Sequence, residues 1–264
     1  MSLPVFHVDA FASKAFAGNP AAVCPLAAWL DDEWLRLVAA ENNLSETAYF
    51  VPQGDHYQLR WFTPRSEVKL CGHATLASAF VIMQILATGT KTVRFETRFS
   101  GALTVSNDGP MLAMDFPALP PWPCTSPPAN LINGLRKPPA EVVQVEDVYF
   151  AVYASQEEVK TVDPDFRLLE KLHPFCVAIT APGSDADFVS RYFAPSYGIP
   201  EDPATGSSHC SLAPYWAGRL GKKTLHARQL SERGGELWCE VNANRITLRG
   251  NAVLTLRGAI DLTA

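Results

Sequence analysis

Apolar residues along the chain gather in short runs broken by Gly, Pro, Asn and Asp, a pattern that predicts many strands and few helices. In the first half, strands are expected at Val5–Ala10, Ala21–Cys24, Leu44–Val51, Tyr57–Thr63, Val93–Glu96, Ala102–Ser106 and Met111–Asp115. A helix is expected from Asp32 to Asn42, capped by Asp31 or Asp32, striped by Trp34, Leu35 and Val38, and ended by Asn42 or Asn43. The run 70–90 carries no Asp, Glu, Lys or Arg and predicts a helix over 73–87, apolar on every side. The second half repeats the rhythm loosely. Strands are expected at Val148–Tyr153, Phe175–Thr180 and Phe188–Phe193, and a helix at Asp165–Lys171. A second glycine-led helix spans 207–219, and strands near Glu236–Val241, Arg245–Arg249 and Ala252–Ile260 close the chain.

Six prolines between Phe116 and Ala129 (Pro117, Pro120, Pro121, Pro123, Pro127 and Pro128) exclude helix and central strand, and predict an extended linker between domains 1–117 and 128–264. Each half then reads as strands around one buried helix. The fold class is mixed α/β (α+β), without the strand–helix alternation of a doubly wound parallel sheet. A length of 264 residues suits two such domains, with sizeable cores.

Composition narrows the partners. A formal net charge of −5 argues against general nucleic-acid binding, which needs a basic face. The uncharged run 70–90 has the length of a membrane span, but His73, Thr75, Ser78, Gln84 and Thr88 dilute it, so it is read as a core helix and no membrane partner is expected. Six cysteines without a C-x-x-C pair, and no basic-then-apolar leader, point to free thiols and a cytoplasmic protein.

The two glycine-led helices open alike. Cys71-Gly72-His73-Ala74-Thr75 begins one and Thr205-Gly206-Ser207-Ser208-His209 the other. Glycine lets a ligand approach the backbone, and the free N–H groups of a first helical turn attract anions. Two such starts predict a duplicated fold that holds an anionic small molecule between its halves, with Gly72, Cys71, Gly206 and Thr205 as candidate binding residues.

Glu46 is the leading chemical candidate. In a strand it shares a face with Leu44, Ala48 and Phe50, and a carboxylate among them is desolvated toward a neutral-range pKa, suited to acid–base work. The bland alternative is a bulge that turns it to solvent. His73, in a helix's first turn, is expected to lean neutral because the helix dipole disfavours imidazolium; it could equally just cap its helix. Asp202 leads into the second glycine-led helix, although Asp before Pro often only starts a turn. Ser207 offers an N–H and a hydroxyl to an anion, or serves as an N-cap. Cys71 beside a helix start has either a lowered pKa or, as a buried thiol, an inert one. No phosphate loop, dinucleotide fingerprint, nucleophile elbow or metal-binding spacing occurs, so neither a cofactor nor a metal is expected.

Taken together, Asp9-Ala10-Phe11, Gly18-Asn19-Pro20-Ala21-Ala22-Val23, Asn43 to Phe50, Arg60-Trp61-Phe62-Thr63-Pro64 and Glu67 to Thr75 carry one resemblance through the first half. Arg191-Tyr192-Phe193-Ala194-Pro195, Glu201 to Ser207, Ala227-Arg228-Gln229 and Arg233-Gly234-Gly235 carry it through the second. The chain resembles the phenazine-biosynthesis PhzF-like family of isomerases over nearly its whole length. The resemblance implies a diaminopimelate-epimerase-like fold, in which two similar domains each wrap a β-barrel around a central helix with the active site in the cleft between them. It further implies a cofactor-independent enzyme, usually a homodimer, with Glu46 as acid/base and His73, Asp202 and Ser207 as its partners. Related epimerases use one cysteine per domain. Here Cys71 stands in the first motif, no thiol precedes Gly206 and Cys210 falls too late, which disfavours a two-thiol racemase. An amino-acid racemase or epimerase and a non-catalytic ligand-binding protein are the alternatives.

Overall fold

A computed structural model of the chain describes residues 1–262. The chain divides into two compact units, Met1–Asp115 with the tail from Arg249 onward, and Phe116–Leu248. The first holds β1 (Ser2–Ala10), β2 (Asn19–Pro25), α1 (Asp32–Asn42), β3 (Glu46–Gln53), β4 (His56–Phe62), β5 (Glu67–Val68), α2 (Gly72–Val81), β6 (Thr92–Thr97), β7 (Gly101–Asp108) and β8 (Met111–Pro117). The rest of the chain supplies β9 (Trp122–Pro123), α3 (Ala129–Leu135), β10 (Glu141–Val145), β11 (Val148–Val152), α4 (Gln156–Thr161) and α5 (Phe166–Leu169). Then follow β12 (Cys176–Pro182), β13 (Phe188–Ala194), β14 (Ile199–Asp202), α6 (Gly206–Leu220), β15 (Thr224–Gln229), β16 (Gly235–Asn242), β17 (Arg245–Gly250) and β18 (Ala252–Asp261).

The two units follow one plan. In the first, β1–β2 is antiparallel, β2–β3 parallel, β3–β4 antiparallel, β4–β6 parallel and β6–β7 antiparallel. In the second, β10–β11, β11–β12, β12–β13, β13–β15 and β15–β16 repeat that order of senses. Parallel neighbours need a crossover. The first parallel step is spanned by α1 in one unit and by α4 and α5 in the other; the second is spanned by α2 and by α6.

The duplication reaches side chains. On β4, Arg60 grips Glu67 through Nε and Nη2 at 2.7 and 2.8 Å, and on β13, Arg191 grips Glu201 at 2.7 and 2.9 Å. Each guanidinium lies 5.0 Å from the ring of the phenylalanine two residues later, Phe62 or Phe193. Each glutamate stands four residues before a helix cap, Cys71 or Thr205, so the paired arginine fixes the strand that delivers the chain into the central helix.

Why the central helices carry no early charge is now plain. All of α2 is buried except Gly72 and Phe80, and it packs against β1, β2, β3, β7 and β18. The expected helix 73–87 appears as α2 followed by a π-helical turn, Ile82–Leu86. In α6, Trp216 stacks on Phe188 and donates from Nε1 to Thr180 Oγ1 at 2.9 Å. Smaller cores lie under the outer helices: Leu35 and Val38 of α1 pack on Tyr49 and Phe62, and Leu131, Val159 and Leu169 pack on Ile179 and Phe193. Gly18 answers a backbone requirement, since its φ is +64° and a Cβ there would stand 2.2 Å from the Ala10 carbonyl oxygen. No helix among the described residues is long and apolar enough to cross a membrane.

Three expectations change. The closing strand, assigned to the second half by chain order, belongs with the first unit, where β18 pairs antiparallel with β1 from Ser2↔Asp261 to Ala10↔Ala252. The proline-rich stretch is extended but is no free linker. Ala118, Leu119 and Cys124 donate backbone bonds to Asn244, Cys210 and Val142, and Trp122 pairs with Gln144. Asp31 occupies the N-cap of α1 without a side-chain bond, while Asp32 pairs with Arg60 at 2.8 Å.

Candidate active site

In the first unit the site forms where β3 begins and α2 begins. Cys71 is the N-cap of α2, in an extended conformation, and its carbonyl accepts from Thr75 N at 3.1 Å and Thr75 Oγ1 at 2.6 Å. Gly72 and His73 therefore lie in the first turn, where N–H groups have no acceptor within the helix. Glu46, the first residue of β3, reaches His73, with Oε2 3.2 Å from Nε2. The two side chains are only 13% and 8% exposed, so Glu46 does not turn out to solvent. Cys71 Sγ lies 3.5 Å from His73 Nδ1 on the other side of the contact.

The electrostatics reverse one expectation. Burial opposes charging the His73 ring, while the Cys71 sulfur and the Glu46 carboxylate favour it, and the ring's pKa is raised well above its ordinary value. Burial, with the Glu46 charge adding to it, pushes the Cys71 thiol up to about 11. Cys71 is thus a thiol at neutral pH. A helix dipole is worth about 0.3–1 kcal/mol against a nearby cation. A carboxylate at hydrogen-bonding distance is worth about 4–5 kcal/mol at an effective dielectric of 20. The His73 pKa is accordingly moved up, opposite to the lean expected from the helix dipole alone, and of the two readings of Cys71 burial prevails over the helix start.

In the second unit the start of α6 is built differently. Thr205 stands where Cys71 stands in α2, and as N-cap it removes the possibility that Ser207 is merely the cap. Ser207 is exposed at the second helical position, and Gly206 before it is buried. Asp202, at the end of β14, accepts a very short bond from Thr205 Oγ1. The buried Gln229, at the end of β15, ties the corner together. Its Oε1 accepts from Thr205 N at 2.8 Å, and its Nε2 donates to the Asp202 carbonyl at 2.7 Å and to Thr205 Oγ1 at 3.1 Å. Beneath them His209 is fully buried, with Nδ1 2.8 Å from the Thr205 carbonyl. Burial pushes its pKa down to about 4, so the ring is neutral and donates from Nδ1.

The structure thus brings Glu46, Cys71, Gly72 and His73 together in one unit, and Asp202, Thr205, Gly206 and Ser207 in the other. Sequence reasoning missed Gln229, His209 and the structural roles of the two Arg–Glu pairs. For Gln229 a signal existed: Leu225, Ala227 and Gln229 alternate as buried positions of a strand. Glu46, Cys71 and His73 also place one donor atom each within 4.8 Å of one another, a grouping of metal-ligand type that sequence spacing does not reveal.

Comparison with known proteins agrees with this reading of the fold. The family model described as phenazine biosynthesis-like protein matches residues 8–258. An uncharacterized isomerase of Pseudomonas aeruginosa is 50% identical over 262 residues, covering 99% of this chain and all of that one. The crystal structure of a phenazine biosynthesis PhzF-family protein from Enterococcus faecalis superposes with a TM-score of 0.95 at 42% identity, over 99% of this chain and all of that one. A predicted epimerase of Pseudomonas aeruginosa shares the fold, with a TM-score of 0.73 at 21% identity over 99% of this chain and all of that one. The chain belongs to the phenazine biosynthesis-like (PhzF) family of isomerases.

Proposed function

We propose that the protein isomerises a small carboxylated metabolite without a cofactor, moving a proton between two carbons with Glu46 as the acid/base. The observation that carries this reading is the mostly buried contact between Glu46 and His73 at the start of α2. A carboxylate held in a mostly buried contact with a histidine is placed to accept a proton from a carbon acid. The carboxylic acid so formed returns the proton at the second position, and His73 orients the carboxyl group throughout. General acid–base work of this kind contributes about 10²–10⁴-fold. Oriented N–H donors at Gly72 and His73 suit the carboxylate of the substrate.

The resemblance adds Asp202 and Ser207 to the same reaction, and Thr205, Gly206 and Cys71 to substrate binding. Thr205 in the place of a second thiol supports proton transfer by carboxylate over a two-thiol racemase. The same reading takes the working form to be a cytoplasmic homodimer, which light scattering of the purified protein tests.

The decisive experiment incubates carboxylic metabolites with the enzyme in heavy water and reads mass gain, with Glu46→Gln as control. Deuterium is expected in at least one compound with wild type and to be lost with the variant. Equal labelling by both rejects the glutamate's role.

A further inference from the structure

The two units share one plan but differ at one place on it. On the parallel pair β4–β6, Gln58 stands beside Glu96 and Leu59 beside Thr97; on β13–β15, Val189 stands beside Arg228 and Ser190 beside Gln229. Arg60 and Arg191 follow two residues after Gln58 and Val189, so Gln58 corresponds to Val189, Glu96 to Arg228 and Arg98 to Leu230. In the second unit Val189 and Leu230 belong to an apolar cluster with Leu131, Val159 and Phe193, and the place is filled. In the first unit it is a cavity of about 310 Å³, with Trp29, Gln58, Arg60, Glu96 and Arg98 in its lining. That volume is at the lower end of small-molecule sites. Gln58 and Arg60 alternate along β4 with Leu59 and Trp61, which pair with Phe50 and Ala48 on the face that carries Glu46. The Gln58 and Arg60 side chains therefore lie on the opposite face of the sheet from Glu46.

The polar groups of this cavity are unequally engaged. Arg60 holds Glu67 through Nε and Nη2 and Asp32 through Nη1. Glu96 accepts from Arg94 at 2.7 Å and stands 3.7 Å from the His56 ring. Trp29 Nε1 donates to Gln58 Oε1 at 2.6 Å, and Gln58 Nε2 has no acceptor among the described residues. Arg98 reaches Glu67 through Nη1 alone, at 3.1 Å, and its Nε and Nη2 have no acceptor among the described residues. That unengaged edge of Arg98 is the edge with which Arg60 grips Glu67, a fork matched to a planar carboxylate. The groups left over are thus donors, the lining acid is already engaged, and Trp29 gives the cavity an aromatic wall. We propose that this cavity binds a small planar carboxylate, with the Arg98 fork and the Gln58 amide donating to its oxygens and Trp29 packing against its body. The site is separate from the proton transfer assigned to Glu46 and stands independently of it.

The test follows 4-fluorobenzoate by fluorine NMR as the full-length protein is added. Wild type is expected to bind it saturably. Arg98→Gln is expected to weaken binding by about 10–100-fold, the worth of a lost bond to a charged group. Gln58→Val, which carries the second unit's residue, is expected to weaken it as well. Circular dichroism establishes that each variant is folded, and the two variants alter different strands, so either one alone still tests the site. 4-Fluorobenzamide, of the same shape without the charge, is expected not to compete. Absence of saturable binding by wild type, or unchanged affinity in folded Arg98→Gln or folded Gln58→Val, overturns the site. Displacement by inorganic phosphate at equal concentration overturns the choice of a planar carboxylate. Glu46→Gln is expected to bind as wild type does; a loss there with none in Arg98→Gln places the ligand at the start of α2 and likewise overturns the site. None of these outcomes decides the heavy-water experiment on Glu46.

Discussion

Gln229→Leu is the sharpest probe of how the second unit builds its helix start. Gln229 is 1% exposed and spans three bonds, to Thr205 N, the Asp202 carbonyl and Thr205 Oγ1. Leucine fills the same volume without a polar atom. The Thr205 N–H, on a residue itself buried, then loses its acceptor, which costs about 1–3 kcal/mol. The two lost bonds from Nε2 cost about 0.5–1.5 kcal/mol each, for a total of about 2–6 kcal/mol. Urea unfolding of wild type and variant, followed by circular dichroism, measures this as a lower midpoint at unchanged slope. Gln229→Glu serves as the contrast. It keeps an acceptor for Thr205 N but sets a carboxylate oxygen against the Asp202 carbonyl, so it too is destabilised although nearly isosteric. A loss below about 0.5 kcal/mol in Gln229→Leu, the level of an ordinary surface change, refutes the argument that this amide holds the corner.

Two further outcomes are expected. His209 is neutral in the native state with a pKa near 4 against an ordinary 6.5, so below pH 6.5 the unfolded chain binds a proton that the folded chain does not. Stability therefore falls as pH drops from about 6.5 toward 4, by on the order of 3 kcal/mol, and this stretch of the curve flattens in His209→Gln. An unchanged slope in that variant counts against the buried neutral ring. Arg191→Lys cannot reproduce the paired bonds to Glu201 or the 2.7 Å bond to the Val162 carbonyl, and is expected to lose about 1.5–3 kcal/mol in thermal unfolding. The exposed Arg94–Glu96 pair provides the comparison, and Arg94→Lys should stay within about 0.5 kcal/mol. Equal losses in the two variants would mean that burial of the Arg191 pair adds nothing.

Local chemistry was legible in the amino-acid order wherever one segment determined its own environment. The uncharged run 70–90 was readable as holding a core helix over 73–87, because polar residues dilute it as a membrane span, and α2 with its π-helical end, Gly72 to Leu86, occupies most of it. Asn43 was readable as the end of α1 because asparagine tolerates the left-handed conformation, which it adopts at φ 49°. The glycine-led helix starts were visible too, with Gly72 and Gly206 each following an N-cap position.

What no single segment could disclose were meetings of distant ones. β18 joins β1 across 250 positions of chain because strand pairing is satisfied by whichever edge the fold presents, not by the next in order. β10 and β15, not expected as strands from the sequence, pair along their length with β11 and β16. The upward shift of the His73 pKa was decided the same way. The helix dipole, the one influence readable locally, is weaker than a carboxylate delivered to 3.2 Å from another strand. Sequence alone established the elements, the duplicated helix starts and the identity of the reactive groups. Only the tertiary structure decided which charges face each other, because Coulombic and hydrogen-bond energies depend on distances through space that chain spacing does not encode.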